Sequence, residues 1–269
     1  LLHTNHVAEK TNAHGIILRS SDTDVTALAV YLQRSIDCPL YVQRRAKNGR
    51  IKIVDVKAVS LKQGNAMCNA LPGLHAYSGC DTTSGFNGKG KSKFFKLAKD
   101  NKDVQKAFTQ LGNAIPASQK LIKECEKAVC KLYKHQGADV NQVQYDMLAK
   151  GAESHDIPPT SDALALHTKR ANYQAHIWKN ALKADFKPCP ADGHGWKKVD
   201  GVLDIHWMTR APAPDSVLEL VACKSCKKCD TRRCPCQNKG FKCTDACGCD
   251  SNSCENSEDT GRYIAGEDD

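Results

Sequence analysis

The chain has 269 residues, enough for one or two domains, and no apolar run approaches the roughly 18 residues of a membrane-spanning helix. No secretory leader is visible and no membrane partner is expected. A formal charge of +9 favours a polyanionic partner only if the basic residues cluster; spread evenly, it is a solvated surface.

The chain opens Leu1-Leu2-His3, without Met and inside what reads as the end of a helix running to Lys10, so a piece of a longer product is expected. After a break between Asn12 and Gly15, Ile16-Ile17-Leu18 reads as a short buried strand of a parallel sheet. Ser20-Ser21-Asp22-Thr23-Asp24 follows, then a helix from Val25 to Leu32 that Asp22 or Thr23 can cap. Acids at the C-terminal end of a parallel strand lie where open α/β sheets place their sites. Leu40-Tyr41-Val42 and Arg50 to Asp55 read as two further strands around a turn at Lys47-Asn48-Gly49. Val56 to Asn69 reads as a short helix, or a loop and a helix. Leu71 to Tyr77 leads into Ser78-Gly79-Cys80-Asp81, Gly85 to Lys91 is glycine-rich and basic, and Ser92 to Ala98 is helical.

Beyond this α/β region, residues 101–186 read as a helical extension. Leu121, Cys125, Val129 and Leu132 recur at near-helical spacing, and Val140 to Lys150 adds a segment. Ile157 to Asp162 is a stop followed by a cap, after which Leu164, Ala171, Ala175, Trp178 and Leu182 mark one helix face. Lys169, Arg170 and Lys179 are expected on its solvated side. Scattered prolines and glycines make 187–222 an extended arm or linker, with Trp196 and Trp207 packing on the body. Residues 255–269 read as a disordered acidic tail.

Residues 223–254 hold nine of the fifteen cysteines: Cys223, Cys226, Cys229, Cys234, Cys236, Cys243, Cys247, Cys249 and Cys254. Apart from Phe241 the block has almost nothing apolar, so it cannot bury an ordinary core. Thiolates bind Zn²⁺ tetrahedrally at about 2.3 Å, and CxxC spacing lets one turn offer two sulfurs. The spacing here is CxxCxxC, CxC, CxxxCxC and a final Cys254; three four-coordinate ions would need about twelve bonds, which nine sulfurs supply if three bridge. The other six cysteines are scattered, as suits a reducing compartment, although a disulfide knot and a zinc knob that only contacts protein stay open.

Two acids spaced i, i+2 after a strand, and a third after Gly79, suggest a carboxylate cluster of Asp22, Asp24 and Asp81. Mg²⁺ or Mn²⁺ held there would activate water for phosphodiester cleavage. The same residues also read as a helix cap (Asp22) and a turn residue (Asp81). Lys89, Lys91 and Lys93, with Gly85, Gly88 and Gly90, could receive a phosphate at a helix N-terminus, or form a solvated loop.

CPCQNKGFKCTDACGCDSNSCEN resembles the tesmin-type CXC domain, a nuclear zinc module. That resemblance implies zinc bound by the nine cysteines, a nuclear location and DNA as partner; the family's DNA-reading tyrosine is Arg233 here. IILRSSDTDVTALAVYL with LHAYSGCDTTSGFNGKGKSKFFKLAK resembles the second half of a PIN-like, flap-endonuclease-type nuclease domain, over about residues 1 to 100. That implies a parallel-sheet α/β core, metal at Asp22, Asp24 and Asp81, and a glycine hairpin on the DNA backbone. The family's other acids lie upstream, so half a nuclease site and little cleavage by this chain are expected. The pairing of the two regions is similar to multi-copy animal proteins derived from mobile elements. Two functions follow: a nuclear zinc protein with a nuclease-like domain acting on DNA, or a non-catalytic scaffold binding DNA or protein through its cysteine region.

Overall fold

The structure, a computed structural model, describes residues 1–46, 48–137, 139–150, 152–210, 223–224, 228–238, 241–243, 247–250 and 253–257. The chain forms two compact units, one of residues 1–143 and 158–209, the other of residues 144–157 and 210–269.

The first unit opens with helix α1 (Leu2–Lys10) and strand β1 (Ile16–Arg19), followed by α2 (Thr23–Leu32) and a 3₁₀ turn (Gln33–Ser35). The chain returns as β2 (Leu40–Arg45) parallel to β1, Leu18 opposite Val42, and turns back as β3 (Ile51–Asp55) antiparallel to β2, Val42 opposite Val54. Gly49, at φ +76°, makes the tight return between β2 and β3. The α/β character is as expected, but the sheet is small and mixed, with one parallel pair in the order β1-β2-β3.

The expectation that Ile16-Ile17-Leu18 is buried throughout is corrected. Leu18, Leu40, Val42 and Val54 join a core with Ala29, Val30, Val56 and Cys68, whereas Ile17, Ile51 and Ile53 on the other face are exposed. The helices that follow the strands cover one face only, so β1 alternates with the period of a half-buried strand.

Helices α3 (Val56–Gln63) and α4 (Asn65–Tyr77) come next, and α4 is the centre of the unit. It continues through Pro72, over residues 71–77, to which the sequence reading assigns no element. Met67, Cys68, Ala70, Leu74, Ala76 and Tyr77 are all buried, and this packing offsets the one helical hydrogen bond that proline cannot make. Gly73 lets α6 (Lys102–Gln110) approach: a Cβ there would lie 2.1 Å from the Phe108 carbonyl oxygen. Tyr77 gathers Phe86, Phe94, Phe108 and His167 around it, with ring centroids 4.8 to 6.0 Å away. Phe94 lies in α5 (Lys91–Asp100), and α7 (Gln119–Leu132) follows; of α8 (Val140–Ala149) only the first turn belongs to this unit.

Helix α9 (Ser161–Lys179), capped by Thr160, carries polar groups on its inner side. Asn172 is fully buried; its amide oxygen accepts from Gly112 N–H and its Nδ2 donates to Ala114 O, each at 2.8 Å. His176 Nδ1 lies 2.9 Å from Gly112 O, and Lys179 Nζ donates to Thr109 O and Asn113 Oδ1. These side chains satisfy the loop after α6, whose buried backbone groups need partners. The solvated side expected for Arg170 and Lys179 is therefore corrected. Arg170 donates to Gly195 O, and burial lowers the Lys179 pKa to about 8. The arm after α9 contains a hairpin, β4 (Trp196–Val199) and β5 (Val202–Ile205), turning through Asp200 and Gly201 at positive φ. Trp196 packs on Tyr173 at 5.5 Å, but Trp207 is 67% exposed rather than packed. Among the described residues no helix is long and apolar enough to cross a membrane.

Replacing Gly73 by Ala is expected to destabilise this unit by about 1–3 kcal/mol in chemical denaturation, because backbone must move to admit the methyl group. A pH dependence follows from His167, buried against Tyr77 O at 2.8 Å, whose pKa burial lowers to about 4. The unfolded chain protonates near 6.5, so His167 leaves stability intact above that pH and subtracts up to about 3 kcal/mol as pH falls to 4. Melts of wild type and His167→Gln across pH 7 to 4 should show a shallower loss in the variant, whose amide still donates to the carbonyl.

Candidate metal centre

In the second unit the buried interior is sulfur. Cys223, Cys229, Cys234, Cys236, Cys243 and Cys254 are each at most 7% exposed, and Phe241, Cys247 and Cys249 pack around them. Local backbone geometry turns them inward. Cys229 sits at φ +54°, and Pro235 opens a single helical turn (Pro235–Asn238) that Cys234 and Cys236 share. Longer bonds draw the ends together: Gly248 N–H donates to Cys223 O at 2.6 Å, Cys243 N–H to Asn256 O at 2.7 Å, and Glu255 N–H to Lys228 O at 2.8 Å.

The sulfurs are spaced for a metal. A tetrahedral ion with bonds of about 2.3 Å has sulfur–sulfur edges of about 3.8 Å. Cys223–Cys229 and Cys234–Cys243 are 3.8 Å apart, Cys236–Cys247 3.6 Å, and every described cysteine is free of disulfides. Among the described residues three tetrads have all their sulfurs within 4.8 Å of one another: Cys223, Cys229, Cys234 and Cys243; Cys223, Cys243, Cys247 and Cys249; Cys229, Cys243, Cys249 and Cys254. Cys243 belongs to all three, so these are faces of one continuous cluster rather than separate sites. Soft thiolates at tetrahedral spacing fit Zn²⁺. The expected ligand Cys226 lies outside the described residues.

Without a cation the thiols conflict. Burial holds Cys229 and Cys243 well above the ordinary thiol range and pushes Cys236, beside Cys247, up to about 12. Burial also opposes ionisation of Cys234, yet the Gln237 backbone, Cys229 and the Cys236 backbone bring it down to about 7. Crowding thus favours ionisation of Cys234 and Cys254 while Cys229, Cys236, Cys243 and Cys249 are held protonated, and a bound dication would remove that conflict. Asn256, missed in the sequence reading, lies against the shared sulfur: its Nδ2 is 3.4 Å from Cys243 Sγ and 2.8 Å from Phe241 O. The closing C-E-N triplet was the available signal.

In the first unit, Asp22 and Asp24 lie at the C-terminal end of β1, as their position after the strand required. Asp22 is the N-cap of α2, accepting from Asp24 N–H at 2.8 Å. Asp24 Oδ1 accepts from His75 Nε2 at 2.5 Å, a buried contact the sequence reading did not foresee. Burial lowers the His75 pKa and Lys91 lowers it further, against Asp24 and Asp22. Among the described residues the second oxygen of each aspartate has no protein partner, which suits a hard cation. Asp81 is exposed, and the three carboxylates form no group within 4.8 Å.

The glycine loop folds back on the end of α4. A Cβ at Gly79 would lie 2.7 Å from the Gly85 Cα, Gly88 has φ +60°, and Gly90 is the N-cap of α5. The three lysines have internal contacts: Lys91 with Gly79 O, Lys93 with Gly88 O, and Lys89 4.7 Å from the Tyr133 ring centroid. Arg233 is exposed.

No protein-family model, curated protein or solved structure matches this chain.

Because Cys243 serves every tetrad, Cys243→Ser is expected to lower the metal-to-protein ratio more than Cys234→Ser, with Cys189→Ser, outside the cluster, unchanged. Elemental analysis of the purified variants measures this.

Proposed function

We propose that the chain is a zinc-binding, DNA-directed nuclear protein. Its cysteine region takes about three zinc ions through bridging sulfurs. Its α/β unit is the second half of a PIN-like nuclease domain, in which Asp22, Asp24 and Asp81 serve Mg²⁺ or Mn²⁺ in a longer chain that supplies the missing acids. The observation that carries the reading is the set of overlapping sulfur tetrads sharing Cys243. Seven basic residues within 223–254 (Lys224, Lys227, Lys228, Arg232, Arg233, Lys239 and Lys242) stand against three aspartates. Nine thiolates exceed the charge of three dications, so part of this surplus offsets the cluster and the rest is available to phosphates.

For the α/β unit, the supporting features are two aspartates with unpartnered oxygens after a strand and a glycine loop leading into α5. In phosphodiester cleavage the cation supplies water activation and charge stabilisation. The chain's own contribution would be to hold Asp22 through the α2 N-terminus and Asp24 through His75. A non-catalytic scaffold, binding DNA or protein through the cysteine region, is favoured by a different observation: Lys89, Lys91 and Lys93 already have internal partners, and Asp22, Asp24 and Asp81 form no group within 4.8 Å.

Metal analysis should find about three zinc ions per chain; one or none rejects the bridged cluster. Salt titration of DNA binding separates the two readings. Replacing Lys89, Lys91 and Lys93 by Gln should flatten the log–log slope by about 3 if each meets a phosphate, and leave it unchanged if the cysteine region alone binds. Mn²⁺-dependent cleavage of branched and single-stranded DNA by the longer protein should be lost in the Asp22→Ala, Asp24→Ala double variant. Cleavage that survives removes both residues from the reaction.

A further inference from the structure

The sulfur common to all three tetrads has a polar neighbour, Asn256, that is not a cysteine. Asn256 is 7% exposed, and its place is set from three directions. Its carbonyl accepts the Cys243 N–H at 2.7 Å, its Nδ2 lies 2.8 Å from Phe241 O, and the same nitrogen lies 3.4 Å from Cys243 Sγ. A side-chain amide has two N–H hydrogens, and here each has an acceptor. An aspartate would fit the space but would offer no donor and would add negative charge beside a thiolate. A leucine of similar size would leave the Phe241 carbonyl and the sulfur without this donor.

We propose that Asn256 is a positioning residue of the metal cluster, holding Cys243 Sγ by one amide hydrogen while the other fixes the segment that carries it, through Phe241 O. The inference rests on the reading of the cysteine region as a zinc cluster. An N–H···S contact draws electron density from a thiolate that must serve more than one ion, and it orients the sulfur's lone pairs. Such outer hydrogen bonds alter metal affinity by about 10–100-fold when removed. A purely structural asparagine would stabilise the fold through Phe241 O and leave the electronic state of the sulfur untouched.

The test uses the full chain loaded with Co²⁺, whose sulfur-to-metal charge-transfer bands report on the thiolates. Asn256→Leu and Asn256→Asp are expected to move these bands to lower energy, since the sulfur becomes more electron-rich. They should also release zinc to a competing chelator at about 10–100-fold lower chelator concentration, with the ion count at saturation unchanged. Bands and release within twofold of wild type in both variants overturn the proposal, as does weakened release with unmoved bands, which would mark a structural role only. If neither variant loads metal, the ¹¹³Cd form of the wild-type chain decides. A scalar coupling between an Asn256 side-chain amide proton and cadmium supports the contact, and its absence overturns it. If wild type itself shows no sulfur-to-cobalt band, the zinc reading fails, an outcome distinct from failure of the Asn256 assignment.

Discussion

Crowding of sulfur around Cys243 is the constraint on which the cysteine region depends. A region with one sizeable apolar side chain, Phe241, cannot be held by burial of hydrocarbon. Its interior is thiol, and thiols a tetrahedral edge apart cannot all ionise without a cation between them. On the proposed zinc reading, folding and metal binding are one equilibrium in this part of the chain. The same crowding accounts for the long backbone bonds that bring 223, 243, 248 and 256 together, since the ligands come from four separated stretches.

The first unit is organised by different physics. Its sheet is covered on one face, and α4 is buried nearly all round, with Gly73 removing the side chain that would hold α6 away. Helix α9 is the unusual member. Asn172, His176 and Lys179 fall at i, i+4 and i+7 and point polar atoms at the loop after α6. A buried loop needs such donors and acceptors, so this inner stripe is polar where a simpler helix would be apolar. His75 joins the same framework to the aspartates: it reaches Asp24 on α2 and packs beside Trp178 of α9 at 5.6 Å. Whatever Asp24 binds, its geometry is set by two helices distant in sequence.

The two functional readings differ in which unit meets nucleic acid. The basic residues of the glycine loop are engaged within their own unit, whereas the sequence of the cysteine region carries seven basic residues against three aspartates. Both readings keep the zinc centre as the element that orders the C-terminal region. They part over whether Asp22 and Asp24 do chemistry or, as the cap on α2 and the anchor for His75, only hold the unit together.

Local features were legible in the chain alone. The strand pair around Asn48-Gly49, the Asp22 cap, the cap within 157–162, and the helical spacing of Leu121, Cys125 and Val129 all depend on neighbours within a turn or a hairpin. The thiolate chemistry was legible too, because CxxC and CxC spacings restrict what one turn can present. The Asp200-Gly201 turn between Val199 and Val202 was an available signal for the hairpin that a reading of proline and glycine as extended arm passed over. Only the tertiary structure decided that Cys243 is the shared sulfur, that Asn256 closes on it, that His75 meets Asp24 across 51 residues, and that one face of the sheet is open. These are contacts between segments far apart in the chain. They carry no period and no fixed spacing, and arise from how the packed elements, and the bonds between their ends, bring particular atoms within reach.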